Sequence, residues 1–155
     1  MHVKKKFVVK HDNLSAFFFL PFRGRGDDGR LGHGDTGWKY VPKITQALQG
    51  QMVVQVTCGS YHTAAVTETG ELWTWGGGMY GKLGHGNERG ESNPKRVEAL
   101  ANIPVSQIAC GSRHTAVVTT RGDVYTWYVE ESRKGSGRYV YLGILTCMHF
   151  VLHQG

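Results

Sequence analysis

Cys58-Gly59-Ser60-Tyr61-His62-Thr63-Ala64 returns as Cys110-Gly111-Ser112-Arg113-His114-Thr115-Ala116, 52 residues on and with one substitution in seven. The same offset relates Leu31-Gly32-His33-Gly34 to Leu83-Gly84-His85-Gly86, Pro42-Lys43 to Pro94-Lys95, and Thr74-Trp75 to Thr126-Trp127. From Leu31 to Trp75, 21 of 45 residues equal their counterparts without a gap. Several mismatches keep character, such as Val56 with Ile108, Leu72 with Val124 and Trp73 with Tyr125. Register held over that length is a tandem repeat, and a period near 50 residues points to a solenoid, propeller or array.

Within a unit the grammar is that of strands and turns. Short apolar runs are broken by glycine, and no segment keeps a helical period for three turns. Val53–Cys58 and Val105–Cys110 read as one strand of each unit, and Thr63–Thr67 turns through Glu68-Thr69-Gly70-Glu71 into Leu72–Trp75 as a hairpin. A further short strand is expected near Lys43–Leu48 and Arg96–Leu100. Glycine numbers 22 in 155 residues, against an average usage of about 7%. With four prolines and no strict triplet, that excess means many tight turns rather than collagen or linker. Four short antiparallel strands per repeat make one propeller blade, which buries its faces by stacking on its neighbours.

These motifs resemble the regulator of chromosome condensation repeat: Gly-x-Gly-x-x-Gly-x-Leu-Gly-His-Gly, a proline eight residues later, Cys-Gly-Ser-x-His-Thr-Ala, Thr-x-x-Gly, and a closing aromatic-Thr-Trp. The resemblance covers Gly24 to Trp127 and implies an all-β fold: two four-stranded antiparallel blades of an incomplete β-propeller whose parent has seven blades. The division it suggests is a basic and apolar leader over 1–23, repeats over 24–75 and 76–127, and a non-repeat tail over 128–155. The structural signature would be Gly32, His33, Gly34, Gly59, His62 and Trp75, with Gly84, His85, Gly86, Gly111, His114 and Trp127. Arg23 stands where the pattern wants Trp, Tyr128 stands where it wants Gly, and the two breaks lie two whole units apart. Such excision of whole units suggests a fragment, a splice product or a mispredicted gene model.

The formal charge of +6 is uneven. Residues 1–23 carry five Lys/Arg against one acid, residues 24–127 carry ten against nine, and residues 128–155 carry three against two. The repeats are therefore nearly neutral, which speaks against a phosphate-binding face and nucleic-acid partners. Three cysteines are too few for a disulfide scaffold, and unpaired thiols fit a reducing compartment, cytoplasm or nucleus. Cys58 and Cys110 read as small buried strand residues. Lys4-Lys5-Lys6 before Leu14–Phe22 looks like a signal peptide only superficially, since Lys10, His11, Asp12 and Asn13 interrupt it. The tail Tyr139–Leu152 is too short to span a bilayer and reads as a strand or a collapsed segment.

Several motifs tempt a chemical reading. Gly24-x-Gly26-x-x-Gly29 and Gly76-x-Gly78-x-x-Gly81 fit a dinucleotide fingerprint, but Leu-Gly-His-Gly follows where a helix must start. They read as loops joining blades. His33, His62, His85 and His114 read as rings donating one N–H to a loop carbonyl rather than as metal ligands. Arg25-Gly26-Asp27 reads as a turn, Trp73, Trp75 and Trp127 as blade core, and Trp38 as a loop residue. No nucleophile with a placed base emerges, so no enzyme and no cofactor is expected.

The sequence points to a non-catalytic protein-binding module whose partner is another protein, with no membrane contact. The resemblance adds guanine-nucleotide exchange on a Ran-like small GTPase as an alternative. Another is the propeller part of a longer HECT-type ubiquitin ligase or zinc-finger lipid-binding protein. Two blades leave edges open, so marginal solubility or self-association is also expected.

Overall fold

The computed structural model describes residues 6–8, 21–130 and 139–145. Its strands are β1 (Lys6–Val8), β2 (Pro21–Gly24), β3 (Lys39–Ile44), β4 (Val53–Cys58), β5 (His62–Thr67), β6 (Leu72–Gly76), β7 (Glu91–Arg96), β8 (Val105–Cys110), β9 (Thr115–Thr119), β10 (Val124–Glu130) and β11 (Tyr139–Leu145). The described residues contain no α-helix, only four 3-10 turns of three residues. No helix among them is long and apolar enough to cross a membrane.

All pairing is antiparallel, as the short Gly70 and Gly122 hairpins demand. Gly70 sits at φ +83° and Gly122 at +90°, a region that favours glycine. β4-β5-β6-β7 form a first blade, with β1 added outside β4, and β8-β9-β10-β11 form a second. β2 and β3 make a separate two-stranded sheet, the outer half of a third blade.

The core lies between sheets. Ala64, Val66 and Leu72 from the first blade meet Ile108, Val117, Tyr125 and Trp127 from the second. On the other face, Val53, Val56, Ala65 and Trp75 form a cluster against which Phe22 of β2 packs. Phe22 meets Trp75 edge-on at 5.8 Å between ring centroids. β5 is buried along its whole length because sheets cover both of its sides. That explains a strand without polar alternation.

Two expectations shift. Each 52-residue unit does hold four strands, but they do not share a sheet: β3 belongs with β2, while β4, β5 and β6 belong with β7 from the next unit. Each repeat thus straddles a blade junction and ties consecutive sheets together. The strand expected near Lys43–Leu48 occupies Lys39–Ile44, and the one near Arg96–Leu100 occupies Glu91–Arg96. The apolar signal that drew them later belongs to 3-10 turns, Gln46–Leu48 and Glu98–Leu100, which drive Leu48 and Leu100 into the core. Beyond the repeats, Tyr139–Leu145 is a strand along β10, with Leu142 opposite Trp127. The leader also supplies β1, where Phe7 lies opposite Val56. Leu14–Leu20 and Cys147 lie outside the described residues.

Candidate functional site

The repeated polar residues converge on the seam between the two blades. A register shift between Val53 and Gln55, repeated between Val105 and Gln107, marks a bulge that re-aims the glutamine. Gln55, buried in the seam, donates its amide Nε2 to the Ile108 carbonyl at 3.1 Å and accepts the Ile108 N–H on Oε1 at 3.2 Å. One side chain satisfies both backbone groups of a residue on the edge strand β8. Gln107, its counterpart, is exposed.

His62, 1% exposed, brings Nε2 within 2.8 Å of Thr115 Oγ1. That hydroxyl already donates to the Lys82 carbonyl at 2.7 Å, so it accepts from His62, and the ring is the neutral Nε2–H tautomer. Burial, reinforced by the nearby Lys82 and His114, holds its pKa down at about 3. His85 follows the same logic within one blade. Thr74 Oγ1 donates to Leu83 O at 2.6 Å and therefore accepts from His85 Nε2 at 3.1 Å. Burial lowers that ring's pKa too. His33 donates to the Phe22 carbonyl at 3.3 Å. His33 thus donates to a carbonyl, but to that of Phe22 in strand β2 rather than to the loop carbonyl expected, whereas His62 and His85 donate to threonine hydroxyls. His114 is exposed. No group of three metal-ligating side chains occurs among the described residues.

Glycines permit this closeness. Gly59 packs against the Gly111 carbonyl and the His62 ring, Gly32 against the Trp75 indole and Pro94, Gly84 against the Trp127 indole, and Gly111 against the His114 ring. Gly34 donates its N–H to the Ser92 carbonyl at 2.9 Å, while Gly86 faces open space. Trp75 and Trp127 are both buried; Trp75 Nε1 donates to the Arg30 carbonyl at 3.0 Å, and Trp127 Nε1 has no hydrogen-bond partner among the described residues. Trp38 lies in a loop, 55% exposed, and stacks on Tyr40 at 6.3 Å. Cys110 is buried, whereas Cys58 is exposed at the end of β4, against the buried reading of it. The glycine fingerprints run through 3-10 turns at Asp27–Gly29 and Met79–Gly81 and continue without a helix. Arg25 and Asp27 of the tripeptide pair with one another inside that turn.

At the rim, where β4 and β8 end and β5 and β9 begin, cations and rings alternate. The Arg30 guanidinium lies 5.0 Å from the Tyr61 ring centroid, and Lys82 Nζ lies 5.8 Å from Tyr61 and 5.9 Å from Tyr80. Arg113 lies 4.8 Å over Tyr80 and completes the row. The residues come from separate stretches of sequence, but the repeat relates them: Arg30 and Lys82 are equivalent positions, as are Tyr61 and Arg113. A second signal was that Tyr61 and Arg113 occupy the only position that differs between the two copies of the seven-residue motif.

The family model of the regulator of chromosome condensation (RCC1) repeat matches residues 23–66 and 69–118. The chain belongs to the RCC1 repeat family. It is 46% identical over 105 residues to the ultraviolet-B receptor UVR8 of Arabidopsis thaliana, covering 67% of this chain and 24% of the receptor. To the E3 ubiquitin-protein ligase HERC2 of Homo sapiens it is 44% identical over 106 residues, 67% of this chain and 2% of the ligase. The chain therefore spans a quarter or less of these two relatives. Among solved structures, human WBSCR16 superposes with a TM-score of 0.64 at 24% identity, over 79% of this chain and 35% of that one. Yeast RCC1 (Prp20), in a complex with Kap60, superposes with a TM-score of 0.62 at 20% identity, over 83% and 33%. At these identities the likeness establishes an RCC1-type partial propeller and nothing finer.

Proposed function

We propose that this RCC1-type partial propeller is a non-catalytic protein-binding module. The observation that carries the reading is the division of its side chains. Gln55, His62, Thr74, Thr115 and His85 are committed to joining or bracing blades. The rim, by contrast, leaves Tyr61 51% and Met79 63% exposed beside Arg113. Tyrosine, methionine and arginine are the residue types enriched at protein interfaces. Three cysteines in 155 residues, too few for a disulfide scaffold, support a reducing compartment, cytoplasm or nucleus. The near-neutral charge of residues 24–127 supports protein rather than nucleic acid as partner.

A second reading is guanine-nucleotide exchange on a Ran-like small GTPase. It draws support from a structural neighbour, Saccharomyces cerevisiae Prp20p, described with its binding properties to Gsp1p and histones. Membership in a longer HECT-type ligase draws support from HERC2. Release of a fluorescent GDP analogue from a Ran-like GTPase separates the first two readings. The module leaves release at its uncatalysed rate, whereas acceleration of tenfold or more replaces the module with an exchange factor.

A further inference from the structure

The geometry points to the rim formed by Tyr61, Met79, Tyr80 and Arg113 as the docking edge for an acidic protein segment, an inference that rests on the module reading above. The two copies of the seven-residue motif keep Cys, Gly, Ser, His, Thr and Ala and change only Tyr61 to Arg113. The invariant members face the seam or the loops: Ser60 and Ser112 hydrogen-bond each other at 3.0 Å, and Thr63 and Thr115 both hold loop carbonyls. The variable position lies on the rim, where Tyr61 meets Arg30 and Lys82 and Arg113 meets Tyr80.

The three cations of the row differ in what they have left to offer. Arg30 is committed, donating to the Asp27 and Ser60 carbonyls and the Asp28 carboxylate. Lys82 is 3% exposed, and its ammonium donates to the Met79 carbonyl at 3.1 Å. Arg113 is exposed, lies over the Tyr80 ring, and has no carboxylate partner among the described residues. A guanidinium without a carboxylate partner offers a fork of N–H donors that matches an incoming carboxylate with two parallel bonds. Tyr80 is itself held in place. Its φ is +65°, rare for a non-glycine residue, and its N–H donates to Glu88 Oε1 at 3.1 Å.

Counted together, Arg113, Lys82 and Arg30 are three cations against the two acids acting on the row, Asp28 and Glu88, so an incoming carboxylate meets a net positive edge. Met79 and Tyr61 provide apolar area beside it. A single free guanidinium is too little for a nucleic-acid backbone, which requires several cations spread along it. A protein segment carrying carboxylates and an aliphatic side chain suits both parts of the rim.

The test uses the full chain and a fluorescein-labelled eight-residue peptide of alternating Glu and Leu, with its Gln/Leu analogue, read by anisotropy at low and high salt. The acidic peptide should bind at least tenfold tighter than the analogue, and this advantage should shrink with salt. Arg113→Glu should abolish the advantage, while Arg121→Glu, an exposed residue at the opposite end of β9, should leave it unchanged. Equal binding of the two peptides, or equal effects of the two substitutions, overturns the inference. If the acidic peptide fails while a small GTPase still binds without faster release, the rim falls and the module reading stands.

Discussion

Acidification from pH 7 to pH 5 should cost this fold about 2 kcal/mol through His62 alone. The folded ring, buried and donating to Thr115, resists protonation down to about pH 3. In the unfolded chain it titrates near 6.5. A folded pKa lying below the unfolded one means the contribution is fully present above pH 6.5 and is lost as the pH falls. Between 6.5 and 3 the unfolded state holds one more proton, and stability drops by ~1.4 kcal/mol per pH unit. His85, also lowered by burial, acts in the same direction. The assay is urea unfolding at half-unit pH steps, comparing the wild type with His62→Gln. Glutamine offers a comparable donor to Thr115 but cannot titrate, so its curve should be flatter by about 2 kcal/mol over the same interval. Parallel curves for the two proteins would refute the claim that a buried neutral imidazole fastens the seam.

Three further outcomes follow from the same contacts. Gln55→Ala strands the Ile108 N–H and carbonyl and should cost roughly 1–3 kcal/mol in urea unfolding. The equivalent Gln107→Ala, exposed, should stay within about 0.5 kcal/mol. Thr74→Val keeps the shape but unpairs Leu83 O and His85 Nε2, and a loss of about 1–3 kcal/mol is expected in the same assay. Gly84→Ala drives a methyl into the Trp127 indole and places a side chain at φ +77°, so tryptophan emission should shift to the red and stability should fall by at least ~1–3 kcal/mol.

Much of this was legible because the repeat copies local structure. Val53–Cys58 and Val105–Cys110 read correctly as strands, since alternation and β-branched residues act within a few residues. The partition into sheets was not legible. Whether β3 pairs with β2 or with β4 depends on tertiary closure, and nothing in residues 39–44 encodes it. Leu48 and Leu100 misled because a buried leucine at the end of a polar run looks the same in a strand and in a 3-10 turn. The histidine partners escaped for a related reason: Thr115 is 53 residues from His62, one repeat plus one position. Only stacking blades in register turns that separation into a hydrogen bond.

The edges show how a partial ring remains ordered. Val56 and Ile108 are equivalent, and each lies on the first strand of its blade, yet the structure covers them differently: β1 pairs along β4 opposite Val56, while the Gln55 amide caps Ile108 on β8. The outermost strands β3 and β7 take a third approach. Each carries a proline, Pro42 or Pro94, that withholds one N–H, followed by an exposed lysine, Lys43 or Lys95. Proline and lysine on an edge strand discourage pairing with another chain. Self-association by strand addition is thus disfavoured at β3 and β7. Trp38, Tyr40, Val41 and Ile44 on and beside β3 are nevertheless exposed, where the equivalents Gly90, Ser92, Asn93 and Arg96 carry no such apolar surface. Association of this chain, where it occurs, should therefore proceed through the side chains of that apolar strip rather than through its backbone edge.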